Sequence, residues 1–261
     1  MSFQNILEHT ENGILSLTIN RPDKLNALNK LTIHELSNAL DKAANDTNVK
    51  VLILTGAGGK SFVAGADISE FAHFTIDEGA LLASEGQMLL FSKIQDYSKP
   101  IIAAVNGFAL GGGLELAMAC HMRVASDTAK MGLPEVSLGV IPGYGGTQRL
   151  AQLVGKGKAF EMIMTTDMIT ADDAFKWGLV NYVTPPEGLL KKCVEIADKI
   201  MKRASPAAIA SAILAINAGF DSDKNGFEVE ISEFGKCFNT YDFKEGISAF
   251  MEKRKPIFLG K

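Results

Sequence analysis

A chain of 261 residues that is 47% hydrophobic and 21% charged has the composition of a globular protein long enough to bury a sizeable core. A net charge of −4 argues against a general nucleic-acid surface. Three scattered cysteines (Cys120, Cys193 and Cys237), with no CxxC pair, exclude a disulfide framework and point to a reduced compartment, the cytoplasm. The opening MSFQNILEHTENG has neither a basic region followed by an apolar core nor Arg enrichment, so no secretory signal or transit peptide is expected.

Ile14–Ile19 alternates, with Leu15, Leu17 and Ile19 on one face and Ser16 and Thr18 on the other. This predicts a half-buried strand, paired with Phe3–His9 through the Glu11–Gly13 turn. Thr32 and Glu35 predict a capping box ahead of a helix carrying Ile33, Leu36, Leu40 and Ala43. Val51–Leu54 reads as a buried strand, so strand, helix and strand suggest a crossover unit. Thr75 and Glu78 start a helix that runs to about Tyr97. Ile101–Val105 is short, apolar and headed by Pro100, which suits a buried strand, and Met122–Ala125 suits another. Ile101–Ala119 is apolar enough to suggest a membrane span, but it holds Asn106, Glu115 and four glycines and is read as core. After Gly146 the pattern is helical, with breaks expected at Gly155 and Gly157. Thr170 and Asp173 cap a short helix, and Leu179–Val183 reads as a last strand closed by Pro185-Pro186. From Glu187 onward only helices are predicted: Glu187–Arg203, Pro206–Ala218 behind the Ser205 cap, Phe227–Phe238 and Phe243–Arg254.

Two stretches carry the chemistry. In Asn106–Glu115, NGFALGGGLE, glycines stand where a strand gives way to a helix, so the backbone can approach a ligand closely. The first N–H groups of that helix lack internal partners and lie at the positive end of its dipole, suited to an oxygen gaining negative charge. Glu115, three residues past Gly112, lies on about the same face. Gly132–Leu150, GLPEVSLGVIPGYGGTQRL, holds Glu135 in an almost uncharged segment. If Glu115 and Glu135 face one another, they cannot both ionise freely, which supplies one base and one acid. They could equally be unrelated surface carboxylates, and the glycine run could simply permit close helix packing. Tyr144 could shape a pocket or only pack. Gly58-Gly59-Lys60-Ser61 is not a phosphate loop, because Leu54 stands where that pattern needs glycine. Cys120-His121 has no partner at ligand spacing, so no metal site is expected.

Four motifs in order, RPDKLNAL at Arg21–Leu28, FVAGADISE at Phe62–Glu70, NGFALGGGLELA and LPEVSLGVIPGYGGTQRL, resemble the crotonase (enoyl-CoA hydratase/isomerase) family over essentially the whole chain. The resemblance implies an α/β fold, a crotonase-like spiral of ββα units with a C-terminal helical trimerisation region. On that division residues 1–200 form the spiral core with the active site, and 201–261 form the oligomerisation region of a homotrimer or a homohexamer built as a dimer of trimers. It implies an enoyl-CoA hydratase of fatty-acid or related acyl-CoA metabolism, adding water syn to a trans-2-enoyl-CoA to give 3-hydroxyacyl-CoA. Glu115 would activate the water and Glu135 would supply the proton to C2. The backbone N–H groups of Ala66 and Gly112 would form the oxyanion hole. The thioester and adenine would contact backbone at Ala64, Ala66, Asp67 and Ile68 and the segment near Lys24 and Ala27. Phe250 and Lys253 match positions that reach a neighbour's coenzyme A. Where some relatives carry lysine after Asp-Ile, this chain has Ser69. The implied reaction needs no metal or redox cofactor, since coenzyme A arrives with the substrate, and no nucleic acid or membrane partner. The alternatives are another acyl-CoA chemistry of the family (a branched or 3-hydroxyacyl-CoA dehydratase, a double-bond isomerase) and a non-catalytic RNA-binding or scaffold protein.

Overall fold

The computed structural model describes residues 3–261. β1 (Ile6–Glu11) and β2 (Ile14–Ile19) form an antiparallel hairpin. Its turn residues Asn12 and Gly13 both have positive φ, the backbone that a two-residue hairpin loop requires. β1 starts later than the expected Phe3, because the backbone N–H groups of Gln4 and Asn5 donate to the Glu35 carboxylate at 2.7 and 2.8 Å. Glu35 is therefore not available for the capping box expected with Thr32. Instead α1 (Lys30–Asn45) is capped by Asn29, whose Oδ1 accepts from the Thr32 N–H at 2.9 Å.

From α1 onward the chain alternates between two sheets. β3 (Val51–Gly56) joins a large sheet and β4 (Ser61–Ala64) a small one. α2 (Ile76–Gly86), capped by the expected Thr75–Glu78 box, continues through a π-helical turn at Gln87–Phe91 into α3 (Ser92–Gln95). β5 (Ile101–Val105) returns to the large sheet, β6 (Phe108–Leu110) to the small one, and α4 (Gly112–Ala119) follows. β7 (Met122–Ser126) and β8 (Lys130–Gly132) repeat the step. A 3-10 turn at Glu135–Leu138 leads to α5 (Gly146–Val154) and α6 (Lys156–Thr165). β9 (Ile169–Thr170), α7 (Ala171–Lys176) and β10 (Tyr182–Thr184) complete the sheets. The large sheet has the order β1-β2-β3-β5-β7-β10, parallel after the first hairpin, and the small one β4-β6-β8-β9. The chain is thus an α/β spiral of ββα steps, as the resemblance implied.

The large sheet is covered on both faces, so its central strands are continuously apolar. Leu52, Leu54, Ala103 and Val105 face the main core, with Phe62, Val63 and Leu114 among the residues opposite. Val51, Ile53, Ile102 and Ala104 face α8 (Leu189–Arg203) through Leu189, Cys193, Ile196 and Ala197. α9 (Pro206–Ala218), α10 (Gly226–Cys237) and α11 (Tyr241–Met251) follow, and α9 is capped by Ser205 as expected.

Two further expectations need correction. Leu179 and Val180 do not belong to the last strand, because their N–H groups turn back onto Ala174 O at 2.8 and 3.3 Å and close α7. Gly157 does not break the helix. It sits inside α6, and only Gly155 separates α5 from α6. The small sheet lay outside the sequence reading.

α4 packs directly on β4: a Cβ added to Gly113 would lie 2.0 Å from Val63 O, so the two backbones must move apart to admit it. Gly113→Ala should cost roughly 1–3 kcal/mol or more in a urea melt. Gly157→Ala, with open space around the added methyl, should cost nothing or stabilise by up to about 0.5–1 kcal/mol. Equal stability of the two variants would contradict this packing.

Candidate active site

One cavity of about 290 Å³ gathers most of the residues singled out from the sequence. Glu115, Glu135, Ala64, Ala66, Ile68 and Gly112 all line it, in otherwise apolar company that includes Phe71, Leu82 and Tyr144.

Ala66 is fixed by a bridge to Leu28. The Leu28 N–H donates to Gly65 O at 2.9 Å, and the Asp67 N–H to Leu28 O at 2.7 Å. The Arg21 guanidinium braces the same loop, donating to Ala27 O and to Asp67 Oδ2, the latter at 2.9 Å. Asp67 also accepts from Ser69 Oγ at 2.7 Å, so its carboxylate is engaged within the loop. The Ser69 hydrogen bond and then Arg21 hold the Asp67 carboxyl below the ordinary range. Asn26, fully buried, donates to Ala57 O and Ser61 O, and Asn106 donates to Gly56 O and Gly58 O. These amides pin the crossing from β3 to β4 that delivers Ala66.

The three glycines before Glu115 serve separate needs. Gly111 has φ +50, and a Cβ there would stand 2.7 Å from Glu135 Oε1. Gly112 opens α4, and its would-be Cβ lies 3.7 Å from Ala66 N. Gly113 admits β4. Among the described residues neither the Ala66 nor the Gly112 N–H donates to an acceptor. Two adjacent unpartnered donors at the wall of an apolar cavity can bind an oxygen that gains charge.

Glu115 is 1% exposed, and its Oε1 accepts from the Tyr144 and Gly146 N–H groups at 2.8 and 2.7 Å. Glu135, at the start of the 3-10 turn, is half-buried, and its Oε2 has no hydrogen-bond partner. Tyr144 stacks on Phe91 with ring centroids 4.6 Å apart and also lines the cavity, so it does more than pack. A Cβ at Gly86 would strike the Tyr144 ring at 2.3 Å, which ties the end of α2 to the site.

The remaining expected contacts lie elsewhere. Lys24 is exposed on the 3-10 turn between β2 and α1, and Ala27 is half-buried. Phe250 and Lys253 sit at the end of α11 and do not line the cavity, with Phe250 80% exposed. Cys120 is buried, and His121 is held by the Ile101 N–H at Nδ1 and Gln95 O at Nε2.

Residues 9–261 match the family model described as enoyl-CoA hydratase/isomerase. The chain belongs to the enoyl-CoA hydratase/isomerase family. A crotonyl-CoA hydratase of Syntrophomonas wolfei subsp. wolfei is 47% identical to it over 262 residues, covering 100% of both chains. A short-chain-enoyl-CoA hydratase of Clostridium acetobutylicum is 47% identical, covering 98% of this chain and 97% of the relative. The crystal structure of an enoyl-CoA hydratase from Bacillus anthracis superposes with a TM-score of 0.91 at 38% identity, over 99% of this chain and 100% of that one.

In this family member the two carboxyls are electrostatically linked. Burial pushes Glu115 up to about 7, the neighbouring Glu135 pushes the same way, and the two N–H donors and Arg149 oppose the rise. Burial also raises Glu135. Tyr144 and Gly146 both donate to Glu115 Oε1, so a proton on this carboxyl belongs on Oε2. A folded pKa above the unfolded value of 4.5 means that the folded state binds more protons between 4.5 and about 7, so stability drops as pH rises through that window. Glu115→Gln keeps an acceptor oxygen and cannot ionise. Its free energy of unfolding in urea melts should therefore gain on the wild type between pH 5 and pH 8, with a gap growing by on the order of 2–3 kcal/mol. A constant gap would mean that Glu115 titrates normally.

Proposed function

We propose that the protein is an enoyl-CoA hydratase that adds water syn and reversibly across the double bond of a trans-2-enoyl-CoA, giving 3-hydroxyacyl-CoA. The observation that carries this reading is the convergence of Glu115, Glu135 and the free N–H groups of Ala66 and Gly112 on one apolar cavity. The family relationship, with hydratases among the most similar relatives, supports it.

The thioester oxygen sits between the Ala66 and Gly112 N–H groups, which stabilise the enolate formed as water adds. One such donor is worth about 10²–10³ in rate. Glu115, ionised, takes a proton from the water whose oxygen bonds to C3. Glu135, protonated, delivers its proton to C2. Water and enoyl thioester are consumed, no electron is transferred, and the two carboxyls exchange protonation states. A proton moving from Glu115 to Glu135, directly or through solvent, restores the start. The pair titrates as a unit, so the roles belong to the pair as much as to each member. Coenzyme A would run from the thioester along Ala64 and Ile68 towards Lys24 and Ala27. The exposed apolar side chains of the last helices, Phe227 at 78% and Phe250 at 80% among them, support assembly of residues 201–261 into a trimer or a dimer of trimers. Such assembly would bring Phe250 and Lys253 to a neighbour's coenzyme A. We place the protein in the cytoplasm. Among the described residues no helix is long and apolar enough to cross a membrane.

The direct test follows the loss of enoyl-thioester absorbance with crotonyl-CoA. Wild type should hydrate it, and Glu135→Gln should lose at least ~10²-fold in kcat while remaining folded. Near-native turnover in that variant would overturn the assignment, and double-bond migration without hydration would favour the isomerase reading. The wild-type kcat/KM should be bell-shaped in pH. One limb should lie near 7, well above the ordinary carboxylate range, because Glu115 ionises against its burial.

A further inference from the structure

We infer that Arg149, tethered by Gln95, is a positioning residue that holds the Tyr144–Gly146 turn against Glu115 and supplies the cation facing it. The inference rests on the reading of Glu115 as the base. The two N–H groups that meet Glu115 flank Gly145, whose φ of +92 turns the chain back on itself. Arg149, one turn into α5, closes that bend. Its Nη1 donates to Tyr144 O at 2.7 Å, and its backbone N–H to Gly145 O at 2.9 Å. A Cβ at residue 145 would lie 2.2 Å from Nη1, so glycine is what leaves the guanidinium its place. From the other side, Nε donates to Gln95 Oε1 at 2.7 Å, at the end of α3. Arg149 is only 8% exposed, so its charge acts in a poorly screened setting.

The charged and titratable groups that face Glu115 are Glu135, Arg149 and the Tyr144 phenol, and those facing Arg149 are Glu115, Asp96 and the Cys120 thiol. Arg149 is thus the cation that favours ionised Glu115 while Glu135 disfavours it. It acts through a peptide and through its field, and lies outside the set of groups lining the cavity.

The test compares Arg149→Met, Arg149→Lys and Gln95→Leu with wild type by kcat, KM and pH profile for crotonyl-CoA. In parallel, the Glu115 carboxyl is titrated by ¹³C NMR, its resonance assigned by difference from Glu115→Gln. Arg149→Met should lower kcat at least ~10-fold, leave KM within about 3-fold, and move both the Glu115 limb and the NMR titration up by up to about 1 in pH. Arg149→Lys keeps the charge but loses the planar fork, so it should restore the limb without restoring full kcat. Gln95→Leu keeps the charge and loses the tether, so kcat should drop several-fold with the limb unmoved. Should Arg149→Met fail to fold, the limb of Arg149→Lys and the kcat of Gln95→Leu decide. A Glu115 titration unmoved in folded Arg149→Met overturns the inference, as does a limb that moves in Arg149→Lys as it does without the cation. A wild type that hydrates nothing sinks the hydratase reading instead, and the NMR comparison still decides what Arg149 does to Glu115.

Discussion

A carboxylate buried in an apolar interior is costly unless its lone pairs are met, and Glu115 is met by two peptide N–H groups. Much of the surrounding structure depends on that contact. α4 must present Glu115 one turn from its start. The segment after Glu135 must return with Tyr144 and Gly146 at the right height. The Tyr144 ring must then find a seat, which Phe91 of the π-helical turn and the bare backbone of Gly86 provide. A π-helical turn offsets the register of the helix that follows it, and such turns recur at functional sites. The burial that makes Glu115 expensive also raises its affinity for a proton, so stability and chemistry are set by the same desolvation.

The ββα spiral places the two candidate oxyanion donors side by side although they are far apart in sequence. β4 and β6 are parallel neighbours in the small sheet, so the loop after one and the helix start after the other emerge at the same edge. Ala66 comes from the first and Gly112 from the second. The amides of Asn26 and Asn106 satisfy carbonyls in the crossing from β3 that no ladder could reach, which fixes where β4 begins.

Periodicity and turn chemistry made the large sheet and the helices legible. Ile14–Ile19, Ile101–Val105 and Pro206–Ala218 fall where alternation, an apolar run and a Ser-Pro cap predict them. The small sheet was not legible because its strands are two to four residues long, too short for any period to show. The α1 cap was misread because Glu35 is captured by the backbone of Gln4 and Asn5, a contact across thirty residues that no local rule contains. In the site, Glu115 and Glu135 stood out as carboxylates in apolar company, while the positions of Ala66 and Gly112 came from the family resemblance. The N–H groups of Tyr144 and Gly146 carry no mark in the sequence, because every residue but proline has one. Arg149 and Gln95 meet across 54 residues and were likewise invisible.

The glycines at 111, 112 and 113 bear on how such a scaffold can diverge. Gly111 yields to the Glu135 side chain, Gly112 offers its N–H beside Ala66, and Gly113 yields to the backbone of β4. Only the first of these constraints refers to a carboxyl of the candidate pair. A descendant that exchanged Glu135 for something smaller would release Gly111 from that contact but would still need Gly113 to fold and Gly112 to keep a free N–H beside Ala66. Change on this frame is therefore cheap at the Glu135 carboxyl and dear at the helix start, so a lineage can alter the cavity wall while keeping the pair of free N–H groups that faces it.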